Sequence, residues 1–127
     1  MPTIQFTRAT NPTTSEVVHI NPLAVLYVEA AREHLVGKTL IQVIGQTEQG
    51  MRVTEALQEV LAGLPDTVPA YRHYHAGSPN EGESVVHICA HNIASIVPNA
   101  PSAPLFWTIA FKDQSVLRIM APLPPEL

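Results

Sequence analysis

The chain of 127 residues is 46% hydrophobic and only 14% charged, and it carries one cysteine and a formal net charge of −4. This composition excludes a disordered chain, a long charged helix and a framework of internal disulfides. No apolar run reaches the roughly 18 residues of a membrane span. We therefore expect a cytoplasmic protein with no membrane partner, folded as a single compact domain over residues 1–127.

In the first half of the chain, prolines, glycines and asparagines separate short runs of β-branched and apolar residues. Runs of this kind, bounded by turn residues, are typical of strands that are buried on one or both faces of a sheet. They predict strands at residues 4–6, 17–20, 23–28, 39–44 and 51–53.

One segment has the spacing of a helix. Thr54 is a residue type that commonly caps a helix N-terminus, and Pro65 cannot continue a helix. Between them, four apolar side chains lie three or four residues apart and so share one helical face: Leu57, Val60, Leu61 and Leu64. The sequence therefore predicts a single short helix over about residues 54–64.

The second half of the chain again predicts strands. They lie at residues 71–75, 85–89, 93–97, 106–111 and 116–120, and a hairpin turn at 112–115 joins the last two. A fold made mostly of antiparallel β strands with one short helix belongs to the α+β class.

A short motif occurs twice. Val17-Val18-His19-Ile20 recurs as Val85-Val86-His87-Ile88, and similar apolar runs follow both copies at nearly the same distance. The pattern indicates either an internal repeat, with copies at 17–64 and 85–121, or two β segments that match by chance. A repeat would make the fold a duplicated small β unit.

Motifs for catalysis are weak in this chain. No serine lies in a Gly-x-Ser-x-Gly elbow, and Gly45 and Gly50 lack the lysine and hydroxyl residue that complete a phosphate-binding loop. Glu29 and Glu33 are either paired carboxylates or exposed charges near a strand end. The sequence leaves the question of an enzyme open and favours a non-enzymatic protein.

The histidines and the cysteine are clustered. His73 and His75 are two residues apart, and His87, Cys89 and His91 continue that spacing on the next predicted strand. Side chains two residues apart share one face of a regular strand, so pairing of the two strands would bring nitrogen and sulfur ligands together. Such ligands suit the tetrahedral coordination of zinc. The two hypotheses are a zinc site, with no other cofactor, and ordinary half-buried strand histidines.

Four segments are similar to parts of one known domain. Residues 17–30 end in Tyr-Val-Glu-Ala, residues 53–65 carry the predicted helix, and residues 71–75 read Tyr-Arg-His-Tyr-His. Residues 88–96 contain Asn-Ile-Ala-Ser-Ile. In this order the segments resemble the LytTR-type DNA-binding domain of bacterial response regulators, over about residues 17–121 of this chain.

This resemblance implies a transcription regulator that binds DNA through its loops. In that family, loops enter successive major grooves, where base contacts give specificity and basic side chains contact phosphates. By position, His34 would contact a base, and Arg32 and Lys38 would approach phosphates. The resemblance adds Arg72 and His75 to the same contact surface.

The charge of the chain favours a different partner. Its seven Lys and Arg residues are scattered singly among eleven Asp and Glu residues, whereas DNA-binding domains usually carry a basic patch. Low charge with high apolar content is typical of a module that binds protein along exposed β edges. Three hypotheses result: a LytTR-like DNA-binding regulator, a β-rich interaction module that forms a homodimer without binding DNA, and a metal-binding protein.

Overall fold

The computed structural model describes residues 3–11, 14–30, 39–45, 50–72, 85–98, 106–120 and 123–127. Within these ranges the chain is mostly antiparallel β structure with one short helix, which confirms the predicted β-rich α+β class. The strands are β1 (Ile4–Asn11), β2 (Thr14–Ile20), β3 (Val25–Ala30), β4 (Thr39–Val43), β5 (Met51–Val53), β6 (Thr67–Tyr71), β7 (Val85–Cys89), β8 (Ile93–Pro98), β9 (Phe106–Phe111) and β10 (Val116–Met120). The helix α1 is Leu57–Ala62, and two short 3-10 helices are Pro22–Ala24 and Ala90–Asn92.

The strands form two sheets in which every described pair is antiparallel. One sheet has the order β2-β1-β5-β4-β3-β7-β6, and the other has the order β10-β9-β8. An isolated bridge between Arg72 and Ile119 joins the end of β6 to β10. Followed through this bridge, the strand order runs from β2 to β8, so these two strands are the ends of the order among the described residues.

Two hydrophobic clusters form the core, one in each half of the chain. The first contains buried residues of β1 to β5, the helix and β7: Phe6, Ile20, Val25, Val28, Ile41, Val53, Val60 and Cys89. The second contains buried residues of β3, β6, β7, β9 and β10: Leu26, Ala70, Val86, Ile88, Ile109, Phe111, Leu117 and Ile119. Each half therefore encloses apolar side chains of its own.

The two halves are joined where β3 pairs with β7. Tyr27 lies opposite Ile88, Val28 opposite His87, and Glu29 opposite Val86. Each half also contributes a side chain to the cluster of the other half at this junction. Leu26 of β3 belongs to the second cluster, and Cys89 of β7 belongs to the first. Strands β3 and β7 thus each contribute buried residues to both clusters.

The helix is shorter than predicted, and Thr54 does not cap it. Its N-cap residue is Ala56, which has no side-chain hydrogen bond, and the helix ends at Ala62. The preceding Glu55 is held instead by tertiary contacts: its carboxylate accepts from Thr7 N at 2.9 and 3.1 Å, and its carbonyl accepts from Thr39 Oγ1 at 2.8 Å. These bonds hold Glu55 outside the helix. The predicted apolar face is confirmed, since its members contact the first cluster.

Several predicted strands differ from the observed ones. β1 continues beyond the predicted residues 4–6 to Asn11, and β2 begins at Thr14, before the predicted residues 17–20. The strand predicted at 23–28 begins only at Val25, because Pro22–Ala24 form a 3-10 helix that Asn21 caps by accepting from Leu23 N at 3.0 Å. The strand predicted at 71–75 corresponds to β6, which covers Thr67–Tyr71, and residues 73–75 lie outside the described part of the chain. Pro69 within β6 is compatible with a strand at the end of its sheet.

A backbone bond recurs at corresponding places in the two halves. Ile44 N donates to Ala24 O at 2.9 Å, which ties the end of β4 to the first 3-10 helix. Lys112 N donates to Asn92 O at 2.9 Å, which ties the end of β9 to the second 3-10 helix. The two donors, Ile44 and Lys112, are separated by the same number of residues as the two acceptors, Ala24 and Asn92.

A strand irregularity recurs at the same displacement. The pairing of β3 with β4 shifts between Val25 and Tyr27, and the pairing of β8 with β9 shifts between Ile93 and Ser95. A β-bulge of this kind adds one residue to one strand and increases its local twist. The strands after the two 3-10 helices therefore bend at corresponding residues.

Candidate functional site

The structure describes only some of the residues predicted to form a site. The proposed DNA contacts Arg32, His34 and Lys38 lie outside the described residues, and so do His73 and His75. The described members are Arg72 at the end of β6, His87 and Cys89 in β7, and His91 in the second 3-10 helix. All four belong to the half of the chain that begins with β6.

Arg72 is engaged within the protein. Its Nη1 donates to Glu29 Oε1 at 2.6 Å, and its guanidinium lies over the ring of Tyr27, 5.7 Å from the centroid. The side chain of Arg72 is 28% exposed and that of Glu29 is 10% exposed. Arg72 thus connects β6 to β3 across β7, and its charge is matched by a largely buried carboxylate.

Glu29 is not an exposed charge near a strand end, and its pairing with Glu33 stays a prediction. It is buried in β3, and residue 33 lies outside the described residues. An ionised carboxylate taken out of water needs a partner of opposite charge, which Arg72 supplies. The strand order β3-β7-β6 brings these two residues together, although they are 43 positions apart in the chain.

Burial in β7 shifts the pKa values of His87 and Cys89. Burial lowers the pKa of the half-buried His87 below its usual value near 6.5, so the neutral imidazole is favoured at neutral pH. Burial also raises the pKa of the Cys89 thiol to about 12. A thiol this buried stays protonated, whereas zinc binds the thiolate. Cys89 fits a small core residue better than a metal ligand.

The strand that was expected to align three ligands ends too early. β7 stops at Cys89, and His91 lies in the 3-10 helix that follows, so period-two spacing does not carry His87, Cys89 and His91 onto one strand face. His91 Nε2 donates to Leu23 O at 3.2 Å. Among the described residues, no group of three or more His, Cys, Asp or Glu side chains could hold a metal ion. A zinc site that includes His73 and His75 stays a prediction.

Asn92, which the sequence places where the strand could end, has a structural role that the sequence did not predict. It is buried, and its Nδ2 donates to Leu23 O and to Val25 O, each at 2.8 Å. These bonds fix the second 3-10 helix against the beginning of β3. A buried asparagine can supply hydrogen-bond donors to backbone carbonyls at a junction such as this one. An asparagine directly before a predicted strand is a weak sign of such a role.

The clearest surface feature is the pair of free sheet edges. Among the described strands, β2 pairs only with β1, and β8 pairs only with β9. Each strand presents an exposed valine, with Val17 in β2 56% exposed and Val97 in β8 54% exposed. The unpaired N–H and C=O groups of such an edge can bind another strand.

Two of the other described basic residues contact groups within the protein. Arg8 pairs with Glu16 at 3.4 Å, and Arg118 lies over the ring of Phe106, 5.7 Å from the centroid. Because Arg72 is paired as well, two of the described arginines already contact carboxylates. The free edges are therefore the more distinctive candidate surface in the described part of the chain.

Comparisons with known proteins add no family to this description. No family model, no curated protein and no solved structure matches the chain. In the part of the chain that the structure describes, no helix is long and apolar enough to cross a membrane.

Proposed function

We propose that this protein is a non-enzymatic interaction module that binds a protein strand along the free edges of its sheet. The observation that carries the proposal is the strand order, which leaves β2 and β8 unpaired on one side among the described strands. Exposed Val17 and Val97 supply apolar side chains at these edges. The low charge of the chain, 14%, accords with this role.

Strand addition is a well-established way in which a sheet recognises a protein. The added strand gains main-chain hydrogen bonds, and its alternate side chains contact the neighbouring strand. Proteins usually block such pairing with charged residues, above all lysine, on exposed edges. β8 consists of Ile93–Pro98 and contains no charged residue, so only Pro98 at its end limits pairing.

The proposal includes the duplication of a small β unit. Support comes from the strand orders β2-β1-β5-β4-β3 and β7-β6-β10-β9-β8, in which corresponding strands occupy corresponding places. The recurring bulges support it, because Val25 and Ile93 are then equivalent residues. The repeated motif fits as well, since its isoleucines, Ile20 and Ile88, are both buried.

The test is a selection of peptides that bind the protein, followed by mapping of where they bind. A displayed library of extended peptides is selected on wild-type protein and depleted on the double variant Val17→Lys/Val97→Lys. Amide hydrogen exchange then shows which strands each enriched peptide protects. Protection of β2 or β8 amides is expected. Peptides that protect only other regions, or no enrichment, would contradict the proposal.

A LytTR-like DNA-binding regulator is the second candidate. The observation that favours it is the position of α1, which follows the fifth strand and coincides with the segment that resembles the helix of that family. In addition, Arg72 directly precedes residues 73–84, which include His75. On this hypothesis His34 and His75 contact bases, and Arg32 and Lys38 contact phosphates.

The second candidate is tested by selection from a random DNA duplex pool and anisotropy titrations across salt. DNA binding predicts an affinity that falls with salt, with a slope of about −0.9 per phosphate contact. Arg32→Ala and Lys38→Ala should each reduce the slope by about one contact. Lys112→Ala, at an exposed turn, is the matched control. Absence of an enriched motif would end this candidate.

A further inference from the structure

Two strands in the middle of the strand order, β3 and β7, correspond to the two free edge strands. Under the proposed duplication, β3 is equivalent to β8 and β7 is equivalent to β2. β3 follows the first 3-10 helix as β8 follows the second, and β7 precedes the second as β2 precedes the first. β3 and β7 pair with each other in antiparallel register. The chain therefore already contains one successful pairing between a strand equivalent to β8 and a strand equivalent to β2.

We infer that β8 of one copy pairs with β2 of a second copy, so that the protein assembles head to tail through a repetition of its own β3–β7 junction. This inference rests on the proposed function, because it names the strand that the free edges bind. The partner of each edge is a second copy of this chain. A surface that binds a different surface of the next copy can close into a ring or continue as a longer assembly.

The internal junction also predicts the register of the contact. Val25 and Ile93 are equivalent, and the difference between their residue numbers relates each residue of one half to its equivalent in the other. Replacing each β3 residue by its equivalent in β8, and each β7 residue by its equivalent in β2, converts the β3–β7 pairs into predicted pairs between copies. The predicted pairs, with the β8 residue first and the β2 residue of the second copy after it, are Ser95 with Ile20, Ile96 with His19, and Val97 with Val18.

The side chains at these positions are compatible with the register. In the internal junction an aliphatic residue, Val28, lies opposite His87, and the predicted contact places Ile96 opposite His19. The contact also brings the exposed Val97 beside Val18, which packs against the first hydrophobic cluster. Apolar surface that water now contacts would thus become buried.

Complementation between two edge variants tests the arrangement. Val97→Lys blocks β8 and leaves β2 intact, whereas Val17→Lys blocks β2 and leaves β8 intact. Both side chains are more than half exposed, so both variants should fold, which circular dichroism checks. In sedimentation velocity, wild-type protein should form dimers or larger species, each variant alone should be monomeric, and their equimolar mixture should form a dimer and no larger species.

Several results would overturn the inference. Wild-type protein that stays monomeric up to the highest soluble concentration would do so, and so would variants that associate as strongly as wild type. A mixture that remains monomeric while wild type associates would also overturn it. The protein could stay monomeric while selected peptides still protect the amides of β2 or β8 from hydrogen exchange. In that case the proposed strand-binding function stands, and the inference that a second copy is the partner is wrong.

Disulfide cross-linking tests the register itself. Proteins carrying His19→Cys and Ile96→Cys are mixed under mild oxidation, and a disulfide-linked dimer should form faster in the mixture than in either protein alone. The register control replaces His19→Cys with Val17→Cys, which should link at least tenfold more slowly. The native Cys89 is fully buried and should not interfere. Equal rates for both cysteine positions, or dimers of one variant alone, would refute the register.

Discussion

Arg72 Nη1 donates to Glu29 Oε1 at 2.6 Å and so connects the end of β6 to β3 across the strand between them. The carboxylate is 10% exposed and the guanidinium side chain 28% exposed, so water screens this pair only partly. The residue that resembles a DNA contact is thereby part of the junction between the halves. Loss of binding in an Arg72 variant would therefore need a stability control before it is assigned to DNA.

The Arg72–Glu29 pair should be more costly to break from the arginine side. Arg72→Ala leaves a largely buried carboxylate without its partner and should lower the free energy of unfolding by about 3 kcal/mol. Glu29→Gln keeps an acceptor for the guanidinium and should cost about 1 kcal/mol. Urea denaturation measures both variants and the double variant. An Arg72→Ala effect below about 0.5 kcal/mol would show that the pair behaves as a surface ion pair.

Asn92 should contribute more to stability than the exposed Asn21, which caps the other 3-10 helix. Asn92→Ala leaves the Leu23 and Val25 carbonyls without the buried Nδ2 donor and should cost about 2 to 3 kcal/mol. Asn21→Ala removes one exposed cap bond and should cost about 1 kcal/mol. Chemical denaturation of the two variants makes the comparison. Equal losses of unfolding free energy in the two variants would mean that water forms hydrogen bonds with the Leu23 and Val25 carbonyls when the Asn92 side chain is removed.

Cys89 should resist thiol reagents and should make the protein less stable at high pH. Its pKa rises from about 9 to about 12 on folding, so the unfolded chain loses the thiol proton first. Stability from the protonated thiol is therefore complete below pH 9 and declines as pH rises from about 9 to about 12. Urea denaturation across this range should show a smaller decline for Cys89→Ala. Rapid labelling of the native thiol at pH 8 would contradict its burial.

His87 should produce a loss of stability on the acid side. Its pKa is lowered in the folded protein by burial, so the unfolded chain takes up the proton first as pH falls. The stability that depends on neutral His87 is complete above about pH 6.5 and declines as pH falls below that value. His87→Gln should remove this component in melts between pH 7.5 and 5, and His19→Gln is the exposed control. Identical pH profiles for wild type and His87→Gln would refute the assignment.

Much of the fold could be predicted because it depends on local pattern. β-branched runs ended by Pro, Gly or Asn predicted most strands, and the apolar spacing of Leu57 and Val60 predicted the helix. The helix boundary was wrong because the carboxylate and carbonyl of Glu55 bond to Thr7 and Thr39, which lie on other strands. A propensity for capping at Thr54 cannot anticipate bonds from distant parts of the chain.

The repeated motif is visible in the sequence, but the proposed duplication requires an alignment of the following segments that the sequence does not reveal. The apolar run after the first copy begins at Leu23 and the run after the second begins at Ile93, whereas the two bulges begin at Val25 and Ile93. The difference arises because the first two residues of the run, Leu23 and Ala24, lie in a 3-10 helix and do not belong to the strand. Hydrophobicity alone does not distinguish these two local structures.

The sequence by itself determined the class of fold, the position of the helix and the low charge that favours a protein partner, because these depend on residue type and short-range spacing. Tertiary structure alone decided that Arg72 pairs with Glu29, that Cys89 lies in the core, and that β2 and β8 end the strand order. Each of these results depends on which distant strands pair. Antiparallel strands carry no local mark of their neighbours, so strand order arises only when the whole chain buries its apolar residues together.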